Sequence, residues 1–446
     1  MRRFCFLCNF MGKITANFRS PKTLLSMKSI TYCLLCCVLL VQSISGLART
    51  LKKEEDVHGF HLIRGKNVAR IPFELHSNLI VVPVKINASD TLRFILDTGV
   101  SSMMLTNTEV AHRLGMKSVR KMAIEGIGGG QPISADVTIG NTFTMGQMRG
   151  LKQTIVVLDD DVLRLSELVG TQIHGIFGYE LFSKFVVTID FQTQELTLTI
   201  PSKYKYTARK GSKLPITIER SKPYLDAVTV VSNNQELPIR VVLDTGAGHA
   251  LMLNTAASQL QLPQKVIKAQ LGVGLGGEIN GHIGRLSKVR IGQYELNDVL
   301  ATFPDSSSLG IKLSPKAPQR HGNLGGEFLR RFKVTFNYEE GYIVLKPVRR
   351  FLNQKFEHDM SGIDLRAKGD DFRHYFIESI TENSPAHQAG LQIGDQLLLV
   401  NHEPVETLSL SEIYRTLQHK EGKEVQLVVR RNGRLVVAEF ALKRVI

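Results

Sequence analysis

At 446 residues, with 43% hydrophobic and 22% charged residues and no tryptophan, the chain has room for two or three domains with separate cores. Its formal charge is +15, but residues 1–48 hold six basic side chains and no acid, which leaves +9 on the remainder. No Lys/Arg run interleaved with aromatics accompanies that charge, so it reads as a solvated surface and nucleic-acid binding is excluded.

In chain order, Lys28 precedes an apolar stretch at 33–41, and the small residues Ser43, Ser45 and Gly46 follow. Basic, apolar and small residues in that order mark a secretory signal peptide starting near Met27, with a retained N-terminal anchor as the competing reading. The apolar run is short for a bilayer span. All five cysteines (Cys5, Cys8, Cys33, Cys36, Cys37) lie in this segment. A mature chain without cysteine has no disulfides, no thiolate chemistry and no cysteine metal site. The expectation is an exported protein (periplasmic, cell-envelope or secreted) that meets a membrane only through an uncleaved signal. The basic stretch 49–70 reads as a pro-segment able to mask a site.

Internal repeats set the architecture. Phe94-Ile95-Leu96-Asp97-Thr98-Gly99 returns as Val241-Val242-Leu243-Asp244-Thr245-Gly246, and His174-Gly175-Ile176-Phe177-Gly178 returns as His321-Gly322-Asn323-Leu324-Gly325. Gly178 follows Asp97 by 81 positions, and Gly325 follows Asp244 by the same 81. Between them each copy holds a glycine cluster, Gly126-Ile127-Gly128-Gly129-Gly130 and Gly274-Leu275-Gly276-Gly277. Apolar stretches at 79–84 and 224–230 predict strands ahead of the aspartates, and 185–189 and 332–336 predict strands after the second glycine motif. Asn107 or Thr108, and Asn254 or Thr255, cap short helices. The expected fold is mostly β: a lobe at 70–205, a related lobe at 206–348, a polar linker at 349–358 and a different domain at 359–446. In that last domain Asn432-Gly433 marks a hairpin.

Two carboxylates on equivalent turns of duplicated lobes point to one shared site on a pseudo-two-fold axis. Like charges a few ångströms apart cannot both ionise easily, so the pair shares a proton. The ionised member can take a proton from a water, and the protonated member can donate to a carbonyl oxygen; this chemistry needs neither cofactor nor metal. Thr98 and Thr245 offer hydroxyls to brace the turns, and Gly99 and Gly246 let backbone approach the carboxylates. His174 and His321 recur at the same offset of 147 as the aspartates and read as local hydrogen-bonding groups, since no metal-ligand spacing accompanies them. Glu180 and Glu327 repeat similarly and read as structural or surface groups. No Gly-x-Ser-x-Gly nucleophile elbow occurs.

At these residues the chain resembles the retropepsin-like and pepsin-like aspartic peptidases, in the bacterial two-lobe form with a PDZ domain. The resemblance implies that Asp97 and Asp244 are catalytic. It implies bracing roles for Thr98, Gly99, Thr245, Gly246, Gly178 and Gly325, together with Ile176-Phe177 and Asn323-Leu324. Asn323 departs from the apolar pattern of that brace. Gly126, Ile127, Gly128, Gly129 and Gly274, Leu275, Gly276 resemble flaps that close over an extended peptide. Val100 and Ala247 stand where pepsin-like enzymes carry Ser or Thr. Without that hydroxyl the pair is expected to hold its proton to higher pH.

Residues 384–401 resemble the most recognisable stretch of a PDZ domain. By that resemblance Ser361, Gly362 and Ile363, after Met360, present N–H groups to the carboxylate of a C-terminal peptide ligand. The main reading is a monomeric aspartic endopeptidase acting on peptide or protein substrates, with PDZ-assisted recruitment. The alternative is a non-catalytic exported peptide-binding protein on the same fold.

Overall fold

The computed structural model describes residues 59–446 apart from 64, 127, 129, 233–234, 259 and 310–319. The expected signal segment at 1–48 and the flap residues Ile127 and Gly129 lie outside the described residues. Among the described residues no helix is long and apolar enough to cross a membrane.

The chain is mostly β, in four sheets. Each lobe repeats one knot. The apolar strand Leu92–Leu96 runs parallel to the short strand Gly175–Phe177, with Ile95 opposite Ile176. In the second lobe Gln235–Leu243 runs parallel to Gly322–Leu324, with Val242 opposite Asn323. Both short strands also pair antiparallel, with Met104–Leu105 and Leu251–Leu253 respectively. Strands flanked on both sides need apolar residues on both faces, which is why the residues before each aspartate form an unbroken hydrophobic run.

A third sheet of six strands joins the lobes. At its centre Val186–Asp190 pairs antiparallel with Phe332–Asn337, placing Thr188 opposite Thr335 with their hydroxyls 2.8 Å apart. These threonines are 147 residues apart, the separation of the aspartates, so the pseudo-two-fold axis passes between them. One continuous apolar core spans both lobes.

Two expected boundaries are corrected. The N-terminal lobe begins before residue 70: Gly59–Leu62 pairs with Met148–Leu158, and Val68–Pro72 is the edge of the joining sheet. The described part of the expected pro-segment is therefore structural strand, held by main-chain hydrogen bonds and by buried Phe60, Leu62 and Ala69. Residues 349–358 are not a free polar linker. The fully buried Arg331 stacks its guanidinium 3.5 Å from the Phe356 ring centre, pairs with Glu327 at 2.9 Å, and donates to Phe351 O at 2.9 Å. Phe356 itself joins the lobe core.

The last domain has its own core and its own sheet, in the order Ile363–Lys368, His374–Ile380, Gln396–Val400, Glu424–Arg431, Arg434–Ala441. Asn432 and Gly433 take the left-handed conformations that close the final hairpin. The helix Leu410–Leu417 opens on a capping box in which Ser409 and Glu412 each bond the other's backbone. Its edge strand Ile363–Lys368 packs against the N-terminal lobe helix Leu165–Val169, and Ser77 N donates to Ser411 Oγ at 3.3 Å.

Candidate active site

The parallel pairing brings each distant glycine motif under its aspartate. Asp97 N donates to Phe177 O at 2.8 Å, and Asp244 N donates to Leu324 O at 2.9 Å. A Cβ at Gly178 would overlap the carbonyl of Asp97, and one at Gly246 would overlap the Asp97 carboxyl. Only glycine lets the two loops approach this closely.

The threonines lock the loops to each other across the axis. Thr98 N donates to Thr245 Oγ1 at 3.1 Å and Thr245 N donates to Thr98 Oγ1 at 3.0 Å. Each hydroxyl then donates across to the opposite strand, Thr98 Oγ1 to Leu243 O at 2.6 Å and Thr245 Oγ1 to Leu96 O at 2.8 Å. Both threonines are buried, so all four bonds are shielded from water.

Asp97 and Asp244 lie side by side, both carboxyls within about 3 Å of where a Cβ on Gly99 would stand, close enough for each to act on the other. Their surroundings differ. Gly99 N reaches Asp97 Oδ1 at 2.5 Å and Gly246 N reaches Asp244 Oδ1 at 3.1 Å. Asp244 has one further donor: Asn323 Nδ2 lies 2.7 Å from its Oδ2. Withdrawal from water and the adjacent Asp244 carboxylate push the Asp97 pKa up to about 8, against the opposing pull of the Gly99 amide and Lys222. The Asn323 amide stabilises negative charge on Asp244, which favours the shared proton on the more buried Asp97. In the N-terminal lobe the residue equivalent to Asn323 is Ile176, so its departure from the apolar pattern is what makes the pair unequal.

The two glycine clusters meet as hairpin tips. Ser118–Ile124 pairs with Ile133–Met145 in one lobe, and Val266–Gly274 pairs with Gly277–Ile291 in the other. Gly130 N donates to Gly276 O at 2.7 Å, and Gly126 approaches the Leu275 side chain. Gly128 N donates to Ser308 O at 2.8 Å, while Ser308 Oγ accepts from Asn280 N at 3.0 Å. Leu275 crosses to pack on the apolar cluster of the opposite lobe, which contains Val81, Ile95 and Ile176. Gly274 closes its hairpin opposite Gly277. Ser308, which ties both tips down, has no counterpart in the repeated motifs and was not legible in the sequence.

The histidines that repeat with the motif serve the backbone. His174 Nδ1 accepts from Arg93 N at 3.0 Å and His321 Nδ1 accepts from Arg240 N at 2.8 Å. Glu180 accepts from Met103 N at 2.7 Å and Glu327 pairs with Arg330 and Arg331.

The aspartyl protease family model matches residues 82–181 and again 228–328, and a PDZ domain model matches 376–431. The chain carries a duplicated aspartyl protease fold and a PDZ domain. Two curated relatives match over about the length of one domain. Tight junction protein ZO-3 of Canis lupus familiaris is 34% identical over 94 residues, 21% of this chain and 10% of that protein. Tight junction protein ZO-3 of Homo sapiens is 31% identical over 96 residues, again 21% and 10%. The chain thus spans about a tenth of the length of these curated relatives.

In the PDZ domain the expected carboxylate loop is not open, which corrects the sequence reading. The chain's own Asp359 fills it, accepting from Ser361 N at 3.2 Å, Ser361 Oγ at 2.7 Å and Ile363 N at 3.1 Å, and also from Gly362 N. Two positions along the edge strand, Leu365 N donates to the Tyr414 hydroxyl at 2.8 Å, and that hydroxyl donates to Asp364 at 2.9 Å. Donors that a peptide strand would use are thereby taken by this domain's own side chains.

Proposed function

We propose that the two lobes form an aspartic endopeptidase in which Asp244 accepts a proton from a water held between the carboxyls. Asp97, still protonated, donates to the peptide carbonyl as the tetrahedral intermediate forms. When the intermediate collapses, the proton taken by Asp244 goes to the leaving amine and Asp97 recovers its own. The observation that carries this reading is the unequal pair: each carboxyl accepts from the glycine amide of its own loop, and Asp244 alone has a further donor, the Asn323 amide. The meeting hairpin tips support an extended peptide held between flaps and dyad.

The basic, apolar and small residues near 28–46 support export, with the peptidase working outside the cytoplasm. The PDZ domain would recruit substrate or partner once Asp359 is displaced from its loop. The test is cleavage of a diverse peptide mixture by purified protein across pH, beside Asp97→Asn and Asp244→Asn. Cleavage that extends to neutral pH and is lost in both folded variants is expected. Cleavage surviving in either variant, or confined to strongly acidic pH, would refute it.

A further inference from the structure

The strand registers match the two lobes position by position, and the match is chemically lopsided. Ile95 pairs with Val81 and Val242 pairs with Tyr224; Ile95 and Val242 each stand two residues before an aspartate. Two residues ahead of these partners, each directly after a left-handed two-residue turn, stand Leu79 and Lys222. Side chains alternate along a strand, so Leu79 shares the face of Val81 and Lys222 that of Tyr224. The 147-residue offset likewise matches Ile173 with Arg320, Ile176 with Asn323 and Ser102 with His249.

In the N-terminal lobe these positions form an apolar wall. Leu79, Ile173, Ile176 and Val100 pack together, and Leu275 of the opposite flap closes over them. In the C-terminal lobe the counterparts of Leu79, Ile173 and Ile176 are cationic or polar, and that of Val100 is Ala247. Lys222 and Arg320 are half-buried and repel each other, and neither forms an ion pair among the described residues. Lys222 also feels both dyad carboxyls. Arg320 donates Nε to Gly322 O at 3.3 Å. Two polar atoms on this side are shut off from solvent without a hydrogen-bond partner, His249 Nε2 and Asn323 Oδ1. Burial holds the His249 imidazole neutral, its pKa pushed down to about 4. Two cations drawn partly out of water beside unfilled hydrogen-bonding atoms are a costly arrangement until an anion completes it.

We infer that the site, read as a peptidase, takes peptides with a bulky apolar residue on one side of the scissile bond and a carboxylate on the other. The apolar residue sits on the Leu79–Ile173 wall, and the carboxylate, on a glutamate or aspartate side chain, sits between Lys222 and Arg320. A peptide's own terminal carboxylate offers the same chemistry and is separated by the test.

The experiment uses fluorescent peptides of one sequence with Glu or Gln at the variable position and a free or amidated C-terminus. Against unmutated protein at low salt, kcat/KM for Glu is expected to exceed that for Gln by about tenfold or more, with the end group making no difference. The preference should shrink as salt is raised. It should fall towards unity in Lys222→Leu and Arg320→Ile, which copy the opposite lobe. Equal rates for Glu and Gln overturn the inference, as does a Glu preference undiminished in both variants. A preference that follows the free C-terminus assigns the carboxylate to the peptide end and overturns the side-chain assignment. If no peptide is cut, the peptidase reading fails separately. Fluorescence anisotropy of the same peptides still decides: tighter binding of Glu supports the basic pocket, and equal binding overturns it.

Discussion

Asn323 is the residue through which the dyad becomes unequal, and Asn323→Val tests that role. Valine suits the strand and keeps the position buried, but removes the amide that lies 2.7 Å from Asp244 Oδ2. A hydrogen bond to a charged group contributes about 1.5–3 kcal/mol, and about 1.4 kcal/mol corresponds to one pH unit. Loss of a donor to the ionised carboxyl favours its protonation, and a doubly protonated pair has no base to take a proton from water. The acid limb of the kcat/KM profile is therefore expected to move up by about 1–2 pH units, and the alkaline limb much less. Stability should change by less than about 1 kcal/mol, because Asn323 Oδ1 is buried without a partner and its removal offsets the lost bond. The assay is a pH–rate profile of both proteins on one peptide, with thermal unfolding as the control. An acid limb that stays in place in a folded variant refutes the assignment of the negative charge to the Asn323 side.

Three further outcomes follow from the same geometry. Thr98→Val orphans the buried Thr245 N–H and Leu243 C=O, so it should lower the unfolding free energy by about 2–4 kcal/mol. The double variant with Thr245→Val should cost less than the two single losses added, measured by urea unfolding. Asp97 holds its proton to about pH 8 when folded, against about 4 for an ordinary carboxyl, so the folded state binds more protons across that window. Stability should thus fall as pH rises from about 4 to about 8. Asp97→Asn should gain about 2–4 kcal/mol at pH near 8 but little at pH near 4; equal effects at both would contradict the burial argument. Asp359→Ala empties the loop of Ser361, Gly362 and Ile363, so it should create binding of a peptide with a free C-terminal carboxylate and not of its amide. Binding already present in the unmutated protein at equal strength would show that Asp359 does not occupy the loop in solution.

What was legible in the sequence is what sits in contiguous residues. The Asp-Thr-Gly hexapeptides, the glycine clusters and the repeated offset are local strings, and a duplicated string carries its own control. The joining sheet was half-legible: its strands could be read, but the pairing of Thr188 with Thr335 required seeing the lobes as related by rotation. The role of Asn323 was hidden because it depends on a parallel pairing with a strand about 80 residues away in sequence, which no local pattern encodes. The filled PDZ loop was hidden for a similar reason, since Asp359 acts on donors two to four residues ahead only through the way the chain folds back. The linker was misread because its polar residues lie outermost, while its most deeply buried residue, Phe356, stacks on a buried arginine from the turn before an earlier strand.

Carrying both half-sites in one chain has a chemical consequence. Two identical halves related by a true two-fold would give each carboxyl the same neighbours, and the shared proton would have no preferred home. Here the halves have diverged at the positions that face the pair: Ile176 against Asn323, Leu79 against Lys222, Ser102 against His249. The amide of Asn323, the cation of Lys222 and the imidazole of His249 all lie on the lobe of Asp244, where the other lobe has Ile176, Leu79 and Ser102. The threonine lock and the glycines, by contrast, are identical in both halves. Geometry at the axis is held by groups that must match across it, whereas proton location and side-chain selection depend on groups that gain by differing. At these positions asymmetry changes the electrostatics without disturbing the lock that keeps the two carboxyls together.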